Sequence, residues 1–533
     1  MSHPGSHAAR TFPGLVRAAA AATGSAPALV EGGRRLTWSE LDEAVDRAAA
    51  GWAAHGLVAG ERVAVQLPNG IDWVLAVVGA LRAGLVVVPV NTAYTDPELE
   101  HLLTDSGARR LVTAAPRDEL LGVPVLVGPP SSDDAPPADP GDPDALALLA
   151  YTSGTTGRPR GAMLRHAALL ANQEQVLGLD PSPVRPGDVV LLVLPLFHVY
   201  GLNSGLGLVA ATGSCGVVVP RFDPAAALAL MVDEGVTAVP GAPPMYQAWL
   251  AAADAAGDDE ALRRAFAAVH TASSGSAPLD PRVWTAMSER AGVRIWEGYG
   301  LTEAAPVLTS TLATGRAAPS CIGGPVPGVE LVLRDTAGGP AAGPDPGSRV
   351  REDVFGDPFG DDPPDSAGEV CVRGANLFAG YWPDGADGPD DEGWLQTGDI
   401  AYRDARGDLH LVDRRRDLVL VSGFNVYPLE VERVLETHPD VAEAAVIGLP
   451  DDRTGESVRA VVVRTPGSEV DADALRSFAA RSLARFKVPA SVHFVEQLPH
   501  SLTGKVSRAR LRELGLEAIA DRTRQVEGVD VGA

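Results

Sequence analysis

Short apolar runs rich in β-branched residues alternate with longer segments of alanine and leucine over residues 36–219. The runs include Val63–Gln66, Val86–Val90, Val189–Leu194 and Cys215–Val219. Strands that are buried on both faces read as continuous apolar runs, and the longer segments have the length of crossover helices. The pattern therefore predicts parallel strands joined by helices, which is an α/β fold with buried sheets.

After Arg414 the pattern changes to that of a small α+β domain. The predicted strand, helix, strand, strand and helix are Leu418–Val421, Pro428–His438, Val441–Gly448, Ser457–Val463 and Asp471–Leu483. Ala337–Ala367 is rich in Gly, Pro and Asp and has no periodicity, so it predicts an exposed irregular insertion.

A chain of 533 residues can bury a large core without disulfides or a structural metal. Cys215, Cys321 and Cys371 are far apart and form no CxxC pair or Cys/His cluster, which favours a reducing cytoplasm. The start of the chain, MSHPGSHAARTF, has no apolar stretch of signal-peptide length, so we expect neither secretion nor organelle import.

The formal net charge of -25 would repel nucleic acid and anionic lipid surfaces, so small-molecule chemistry is favoured over either partner. The most membrane-like segment, Trp73–Val90, is interrupted by Arg82, which predicts a buried helix passing into a buried strand and no membrane span. Only two of the 44 basic residues are lysines, Lys487 and Lys505.

The segment Tyr151–Gly161 reads YTSGTTGRPRG and follows the apolar run Ala145–Ala150, so we expect a loop at the end of a strand. Small residues let consecutive backbone N-H groups converge on an anion, hydroxyls add donors, and arginine adds positive charge. These are the parts of a phosphate-binding loop, although not of a Walker loop, which requires GxxxxGK[ST].

This loop resembles the signature YTSGTTGxPKG of the acyl-adenylating superfamily, which includes acyl-CoA synthetases, aryl-CoA ligases, luciferases and adenylation domains. The resemblance implies ATP binding by Thr152, Ser153, Gly154, Thr155, Thr156, Gly157 and Arg160. Arg160 stands where the family usually has lysine, in keeping with a lysine-poor chain, and either residue places a cation beside phosphate.

Three further segments resemble family elements, of which Ser274–Pro278, SGSAP, is similar to the loop that flanks the adenine and floors the acyl pocket. LPLFHVYG, Leu194–Gly201, is similar to the element that lines the carboxylate pocket, and EGYGLTEAA, Glu297–Ala305, is similar to the YGxTE core. The resemblance assigns the acyl pocket to His198, Tyr200, Gly275 and Gly300. It assigns adenine and phosphate contacts to Gly275, Ser276, Ala277, Glu297, Gly298, Tyr299, Gly300 and Thr302.

Glu303, in the same element, is the residue that the resemblance assigns to Mg²⁺. A carboxylate that attacks a triphosphate is an anion approaching an anion, so a metal must neutralise charge as pyrophosphate leaves. We therefore count Thr302, Glu303 and His198 among the catalytic residues.

Thr397-Gly398-Asp399 is similar to the family element whose aspartate binds the ribose, and Arg414 would contact the same sugar. Arg416 occupies the hinge position. The implied mobile domain would present Ser422, Gly423 and Phe424 to a pantetheine tunnel, where the absence of a side chain at Gly423 leaves room for the backbone to approach.

Lys505 lies in a segment similar to the family's PxxxxGK element, whose lysine enters the site during adenylation. In a chain with two lysines, one stands where the chemistry needs a compact ammonium between the carboxylate and the α-phosphate. The other, Lys487, is interpreted as a structural residue that positions a turn.

The resemblance implies a large N-terminal domain, residues 1–412, with α/β layers and a distorted barrel, a hinge at 413–417, and a small mobile α+β domain at 418–533. We expect a ligase that uses ATP, Mg²⁺ and coenzyme A to convert a carboxylic acid to its acyl-CoA through acyl-AMP. Apolar residues near the pocket favour medium or long fatty acids, with aryl acids as an alternative.

Three other functions stay open. The adenylate could be passed to a carrier protein, which would be a separate chain because only a short tail follows Lys505. The enzyme could be a luciferase-like oxygenase, or the chain could be an inactive nucleotide-binding scaffold, against which the acidic residues and Lys505 argue. The sequence does not indicate an oligomeric state, and a homodimer is compatible with it.

Overall fold

The computed structural model describes residues 9–152, 159–334, 367–404, 406–414, 419–421, 424–426, 428–451, 455–483, 485–500 and 506–513. By packing, the chain divides into two compact units, Met1–Leu331 with Val372–Leu395, and Val332–Cys371 with Gln396–Ala533. The second unit thus includes residues that the sequence analysis assigned to the N-terminal domain. The domain boundary at 412, the hinge and the mobility of the small domain stay predictions, and the expected insertion lies outside the described residues except for Ala367.

The α-helices of the described residues are α1 Phe12–Thr23, α2 Trp38–Ala54, α3 Ile71–Arg82, α4 Asp96–Ser106, α5 His166–Leu177, α6 Leu208–Thr212, α7 Pro224–Glu234, α8 Pro243–Ala256, α9 Glu260–Phe266, α10 Pro281–Ala291, α11 Thr311–Thr314, α12 Pro428–Glu436, α13 Ala472–Ala479 and α14 Arg508–Glu513. A π-helix, Tyr200–Gly207, runs into α6, and Thr302–Ala304 forms one 3₁₀ turn. Local sequence determines where α2 begins. The Thr37 side chain accepts a hydrogen bond from the Glu40 N-H, and the Glu40 carboxylate accepts one from the Thr37 N-H.

The strands of the first unit are β1 Pro27–Glu31, β2 Arg34–Thr37, β3 Arg62–Gln66, β4 Val86–Pro89, β5 Arg110–Thr113, β6 Glu119–Leu120, β7 Val123–Val127, β8 Leu146–Thr152, β9 Arg160–Arg165, β10 Val189–Leu192, β11 Cys215–Val218, β12 Ala238–Gly241, β13 Thr271–Ser274, β14 Ile295–Gly300, β15 Val307–Ser310 and β16 Gly324–Pro325. They form a nine-stranded sheet, β16-β15-β14-β13-β12-β10-β11-β1-β2, and a seven-stranded sheet, β6-β7-β5-β3-β4-β8-β9. The central pairs of both sheets are parallel, which confirms the predicted α/β fold.

Arg82 shows how the segment that resembled a membrane span is buried. It ends α3 and is only 1% exposed, yet its guanidinium lies 2.5 Å from an Asp42 oxygen and 2.9 Å from an Asp46 oxygen on α2. A buried charge needs such partners. The predicted passage from buried helix to buried strand is confirmed by α3 and β4, and no helix in the described part of the chain is long and apolar enough to span a bilayer.

The remaining strands are β17 Glu330–Arg334, β18 Gly368–Arg373, β19 Leu395–Arg403, β20 Leu409–Arg414, β21 Val419–Val421, β22 Phe424–Val426, β23 Val441–Asp451, β24 Gly455–Arg464 and β25 Ser491–Val495. β17 to β20 form a four-stranded sheet, and β21 to β25 form a five-stranded sheet. Helices α12 and α13 supply Leu435 and Leu475 to the core against the second of these sheets. The predicted α+β pattern is confirmed, although α13 ends at Ala479, four residues before the predicted end.

Candidate active site

The predicted site residues of the first unit follow the carboxyl ends of neighbouring strands. His198 and Tyr200 follow β10, Ser276 follows β13, and Thr302 and Glu303 follow β14. β10, β12, β13 and β14 are adjacent in the sheet and pair in parallel, so these segments emerge at one edge. The carboxyl edge of a parallel sheet is where ligands bind in open α/β folds.

Tyr200 brings the predicted acyl-pocket residues together. Its hydroxyl donates to the Gly241 carbonyl at 3.2 Å, and a Cβ on Gly275 would lie 3.2 Å from its ring. Burial raises the pKa of Tyr200, so its hydroxyl stays a neutral donor. The Tyr200 N-H donates to His198 Nδ1 at 3.2 Å, which leaves the proton of the neutral imidazole on Nε2.

Tyr246, which the sequence analysis did not single out, lies at the same edge. It is fully buried on α8, and its hydroxyl donates to the Ser273 carbonyl at 2.7 Å. Its ring also lies close to Gly241, where a Cβ would come within 3.0 Å of it. Tyr200 and Tyr246 therefore both cover the backbone at the ends of β12 and β13.

Glu303 lies at the centre of a polar cluster. The Tyr381 hydroxyl donates a short hydrogen bond to its Oε1. The Arg160 guanidinium lies over the Tyr381 ring, 4.0 Å from the ring centre, and forms an ion pair with Asp387 at 2.6 Å. Burial first, and then the negative charge of Glu303, raises the pKa of Tyr381, while a hydrogen bond with Thr152 acts in the opposite direction. Tyr381 thus contacts three of the predicted site residues, which are Thr152, Arg160 and Glu303.

Tyr381 itself was missed by the sequence analysis. The signal that could have found it is the sequence Gly380-Tyr381-Trp382. Gly380 has φ +90°, and a Cβ there would overlap the Gly385 carbonyl, so only glycine fits. The Trp382 N-H donates to the Gly161 carbonyl at 2.8 Å, which attaches the segment to β9 and places Tyr381 beside Arg160.

Both ends of the predicted phosphate loop are anchored to α4. The Tyr151 hydroxyl donates to Asp105 Oδ2 at 2.6 Å, and His101 Nε2 lies 2.7 Å from the Pro159 carbonyl oxygen. His101 and Asp105 are four residues apart, hence on one face of the helix. The loop residues Ser153, Gly154, Thr155, Thr156 and Gly157 lie outside the described residues, so their assigned contacts stay predictions.

The segment before Glu303 is fixed mainly by backbone contacts. The buried Glu297 carboxylate accepts from the N-H groups of Leu279, at 3.3 Å, and Ser320, at 3.0 Å. A Cβ on Gly300 would overlap the Pro306 carbonyl, and one on Gly298 would approach the backbone of β15. Tyr299 is also buried, and Ser276 adopts the left-handed φ of +73°. Adenine contacts by Gly275, Ser276, Ala277, Glu297, Gly298, Tyr299 and Gly300 stay predictions.

In the second unit, Asp399 on β19 lies directly opposite Arg414 on β20. The backbone of Asp399 is held by Thr397, whose Oγ1 accepts from the Asp399 N-H at 3.1 Å and donates to the Val370 carbonyl at 2.8 Å. The two residues assigned to the ribose are therefore neighbours. Arg416, Ser422, Gly423 and Lys505, and the side chains of Arg414 and Phe424, lie outside the described residues.

Lys487 is buried against α12, while its predicted role in positioning a turn stays a prediction. Its side chain is buried, and its ammonium lies 2.8 Å from Glu430 Oε1 on α12. The other Glu430 oxygen is buried and has no hydrogen-bond partner in the described part of the chain. Lys487 is therefore a buried counter-ion.

The residues around Glu303 fit a bound Mg²⁺. The described residues contain no group of three or more His, Cys, Asp or Glu side chains that could hold a metal by themselves. Mg²⁺ is commonly bound by one or two carboxylates together with substrate phosphates and water, so a single carboxylate beside the predicted phosphate loop is a suitable donor set.

Comparison with known proteins agrees with this geometry. The family model described as AMP-binding enzyme matches residues 16–382, and the model of the AMP-binding enzyme C-terminal domain matches residues 430–505. The chain belongs to the AMP-binding enzyme family. The prediction of an adenylate-forming enzyme of the acyl-CoA synthetase class is thereby confirmed.

Two curated relatives and one solved structure illustrate the similarity. The chain is 34% identical to the long-chain-fatty-acid–CoA ligase of Salmonella typhimurium over 91% of each protein. It is 36% identical to the feruloyl-CoA synthase of an Amycolatopsis species, over 91% of this chain and 95% of that enzyme. ATP-bound MatB from Rhodopseudomonas palustris superposes with a TM-score of 0.79 at 31% identity, over 91% of this chain and 95% of MatB.

Proposed function

We propose that this enzyme joins an apolar carboxylic acid to coenzyme A in two steps. The acid carboxylate attacks the α-phosphorus of ATP, which gives acyl-AMP and pyrophosphate. The thiol then attacks the acyl carbonyl, which gives the thioester and AMP. The observation that carries the proposal is the cluster of Thr152, Arg160 and Glu303 around Tyr381, because it places a cation and a carboxylate beside the predicted phosphate loop.

Four of the predicted site residues that the structure describes have a role in the first step. Arg160 faces the phosphates, and Thr302 donates to the α-phosphate. Glu303 would hold Mg²⁺, which when bound supplies positive charge to the phosphate oxygens. His198, with its proton on Nε2, can donate to the acid and orient it for attack. Most of the rate enhancement would come from alignment and charge stabilisation.

The acid is the finer part of the proposal. We propose a medium- or long-chain fatty acid first, because Tyr200 packs against a cluster of buried apolar side chains and one of the similar enzymes is named for long-chain fatty acids. An aryl acid is the alternative, because another similar enzyme is named feruloyl-CoA synthase. ATP–pyrophosphate exchange with acids graded in chain length and aromaticity tests both, and exchange supported only by charged or very short acids would contradict the proposal.

Coenzyme A is proposed as the acceptor, and a separate carrier protein is the alternative. Product formation with each acceptor, measured by mass spectrometry, distinguishes them. We place the reaction in the cytoplasm, where the separated cysteines stay reduced and coenzyme A is available.

Lys505→Ala tests the assignment of the second domain. We expect adenylation to slow about a hundredfold or more, the loss typical of one transition-state donor. Thiolysis of supplied acyl-AMP should persist, because the lysine acts only in the first step. Equal losses in the two steps would contradict the assignment.

A further inference from the structure

Three asparagines from separate segments converge on the backbone that follows Glu303. Asn376 Nδ2 donates to the Ala304 carbonyl at 2.8 Å, and Asn203 Nδ2 donates to the Ala305 carbonyl at 2.6 Å. The Asn172 side chain forms two hydrogen bonds with the Val307 backbone, because its Nδ2 donates to the carbonyl at 2.7 Å and its Oδ1 accepts from the N-H at 3.1 Å. All three asparagines are at most 1% exposed. We call Asn172, Asn203 and Asn376 the amide cradle.

The amide cradle is itself held by two glutamines on α5. Gln173 Nε2 donates to Asn203 Oδ1 at 2.6 Å, and Gln175 Nε2 donates to Asn376 Oδ1 at 3.2 Å. Asn172 Nδ2 also lies 3.2 Å from Gln175 Oε1. A donated hydrogen bond to each amide oxygen turns the amide nitrogen toward the backbone carbonyl, so α5 fixes the orientation of the cradle.

The turn lies between the 3₁₀ turn Thr302–Ala304 and β15, and side-chain amides supply the partners of three of its carbonyls. Ala305 adopts φ +62°, a conformation that is unfavourable for residues other than glycine. The carbonyls of residues 303 to 307 are nevertheless all satisfied, two of them by the N-H groups of Phe378 and Leu301 and the other three by the amide cradle. Three buried asparagines that serve one turn indicate that its position matters.

We propose that the amide cradle positions Glu303 for metal binding, acting through the backbone of residues 304–307. This inference rests on the proposed role of Glu303 as the Mg²⁺ carboxylate. Residues that orient a metal ligand typically change metal affinity about 10–100-fold when they are mutated. Loss of the cradle should therefore weaken the metal site more than it weakens the binding of ATP alone.

The test measures metal binding without turnover. Mn²⁺ replaces Mg²⁺ as the probe, ATP is present and no acid is added, and the Mn²⁺ dissociation constant is read by electron paramagnetic resonance. The variants are Asn203→Leu and Asn376→Leu, with Glu303→Gln as the reference for loss of the ligand. ATP affinity in the presence of chelator is measured by calorimetry on the same samples.

Thr237→Val is the matched control. The Thr237 hydroxyl accepts from the Val189 N-H at 3.0 Å and donates to Asp188 Oδ1 at 2.9 Å, between the amino ends of β10 and β12. Like the asparagine variants it removes hydrogen bonds that a single side chain makes to its surroundings, but at the opposite edge of the sheet. Thermal unfolding of every variant reports the loss of stability separately.

We expect both asparagine variants to raise the Mn²⁺ dissociation constant about tenfold, with metal-free ATP affinity and the Mn²⁺ affinity of Thr237→Val within about twofold of wild type. If Asn203→Leu does not fold, Gln175→Leu, which removes the bonds that Gln175 makes to Asn376 and Asn172, is read in its place. Unchanged Mn²⁺ affinity in the asparagine variants, with weakened binding in Glu303→Gln, would overturn the cradle proposal alone. Unchanged Mn²⁺ affinity in Glu303→Gln as well would overturn both the cradle proposal and the proposed role of Glu303. Equal weakening of Mn²⁺ binding in Thr237→Val would show a general effect of lost stability and refute the proposal that the cradle positions Glu303.

Discussion

Replacing Tyr381 with phenylalanine isolates the contribution of one hydroxyl to the site. The ring contacts do not depend on that hydroxyl: Phe378 lies edge-on at 5.1 Å, and the Arg160 guanidinium lies 4.0 Å from the ring centre. What is lost is the short hydrogen bond to the Glu303 carboxylate, together with the hydrogen bond with Thr152. A hydrogen bond to a charged group contributes about 1.5–3 kcal/mol.

Glu303 is partly exposed, so water can replace some of the lost interaction. We therefore expect a loss of about 1–2 kcal/mol, which corresponds to a fall of about 5- to 30-fold in kcat/KM for MgATP. The assay is ATP–pyrophosphate exchange at a saturating concentration of an accepted acid, with MgATP varied. The physical reason is that the freed carboxylate is less often in the orientation that binds the metal.

A double-mutant cycle with Glu303→Gln identifies the partner through which the hydroxyl acts. In the Glu303→Gln background the carboxylate charge is gone, so removal of the hydroxyl should change kcat/KM by less than about twofold. The same fold loss in both backgrounds would refute the reasoning, because it would mean that the hydroxyl acts elsewhere. An increase in kcat/KM for Tyr381→Phe alone would also refute it, since the hydroxyl would then compete with the metal.

Three further predictions concern pH and stability. Burial and Glu303 raise the pKa of Tyr381, so its hydroxyl stays protonated at ordinary pH. The ratio of wild-type activity to Tyr381→Phe activity should therefore stay constant from about pH 6 to 9. A ratio that falls toward one in that range would contradict this prediction. Burial lowers the pKa of His166 to about 4, so as the pH falls the unfolded chain binds a proton at this histidine before the folded chain does. The free energy of unfolding should therefore fall by about 3 kcal/mol between about pH 6.5 and 4. Chemical denaturation of His166→Asn should show a weaker pH dependence over that range. Lys487→Gln leaves Glu430 buried without its counter-ion and should destabilise the second unit by about 3–5 kcal/mol, whereas Lys487→Met combined with Glu430→Leu should recover most of the loss in the same assay.

The sequence predicted the parallel sheets because their strands are buried on both faces and therefore read as apolar runs, as Val63–Gln66 does within β3. It could not predict that β18 to β20 pack with the C-terminal residues, because the contacts that decide this join segments far apart in the chain. The end of α13 was also placed too late, since Ala480–Leu483 continue the apolar pattern without continuing the helix.

Within the site, residues such as Glu303 and Arg160 were predictable because each belongs to a motif of consecutive residues that can be recognised in the sequence. Tyr381 was not found, since it lies 78 residues beyond Glu303 and is brought to it by backbone hydrogen bonds of residues 378–382 with Glu303 and β9. Asn203 and Asn376 were missed for a related reason. A buried amide in an apolar segment has no sequence signature of its own until its backbone partner is known.

The central claim is that the acid becomes an acyl-adenylate before any thiol reacts. The most direct measurement gives the enzyme MgATP and an accepted acid labelled with ¹⁸O in its carboxylate, then adds coenzyme A and analyses the nucleotide by mass spectrometry. The account predicts AMP that carries one ¹⁸O atom, formed together with pyrophosphate. ADP and phosphate as products, or AMP without the label, would contradict it.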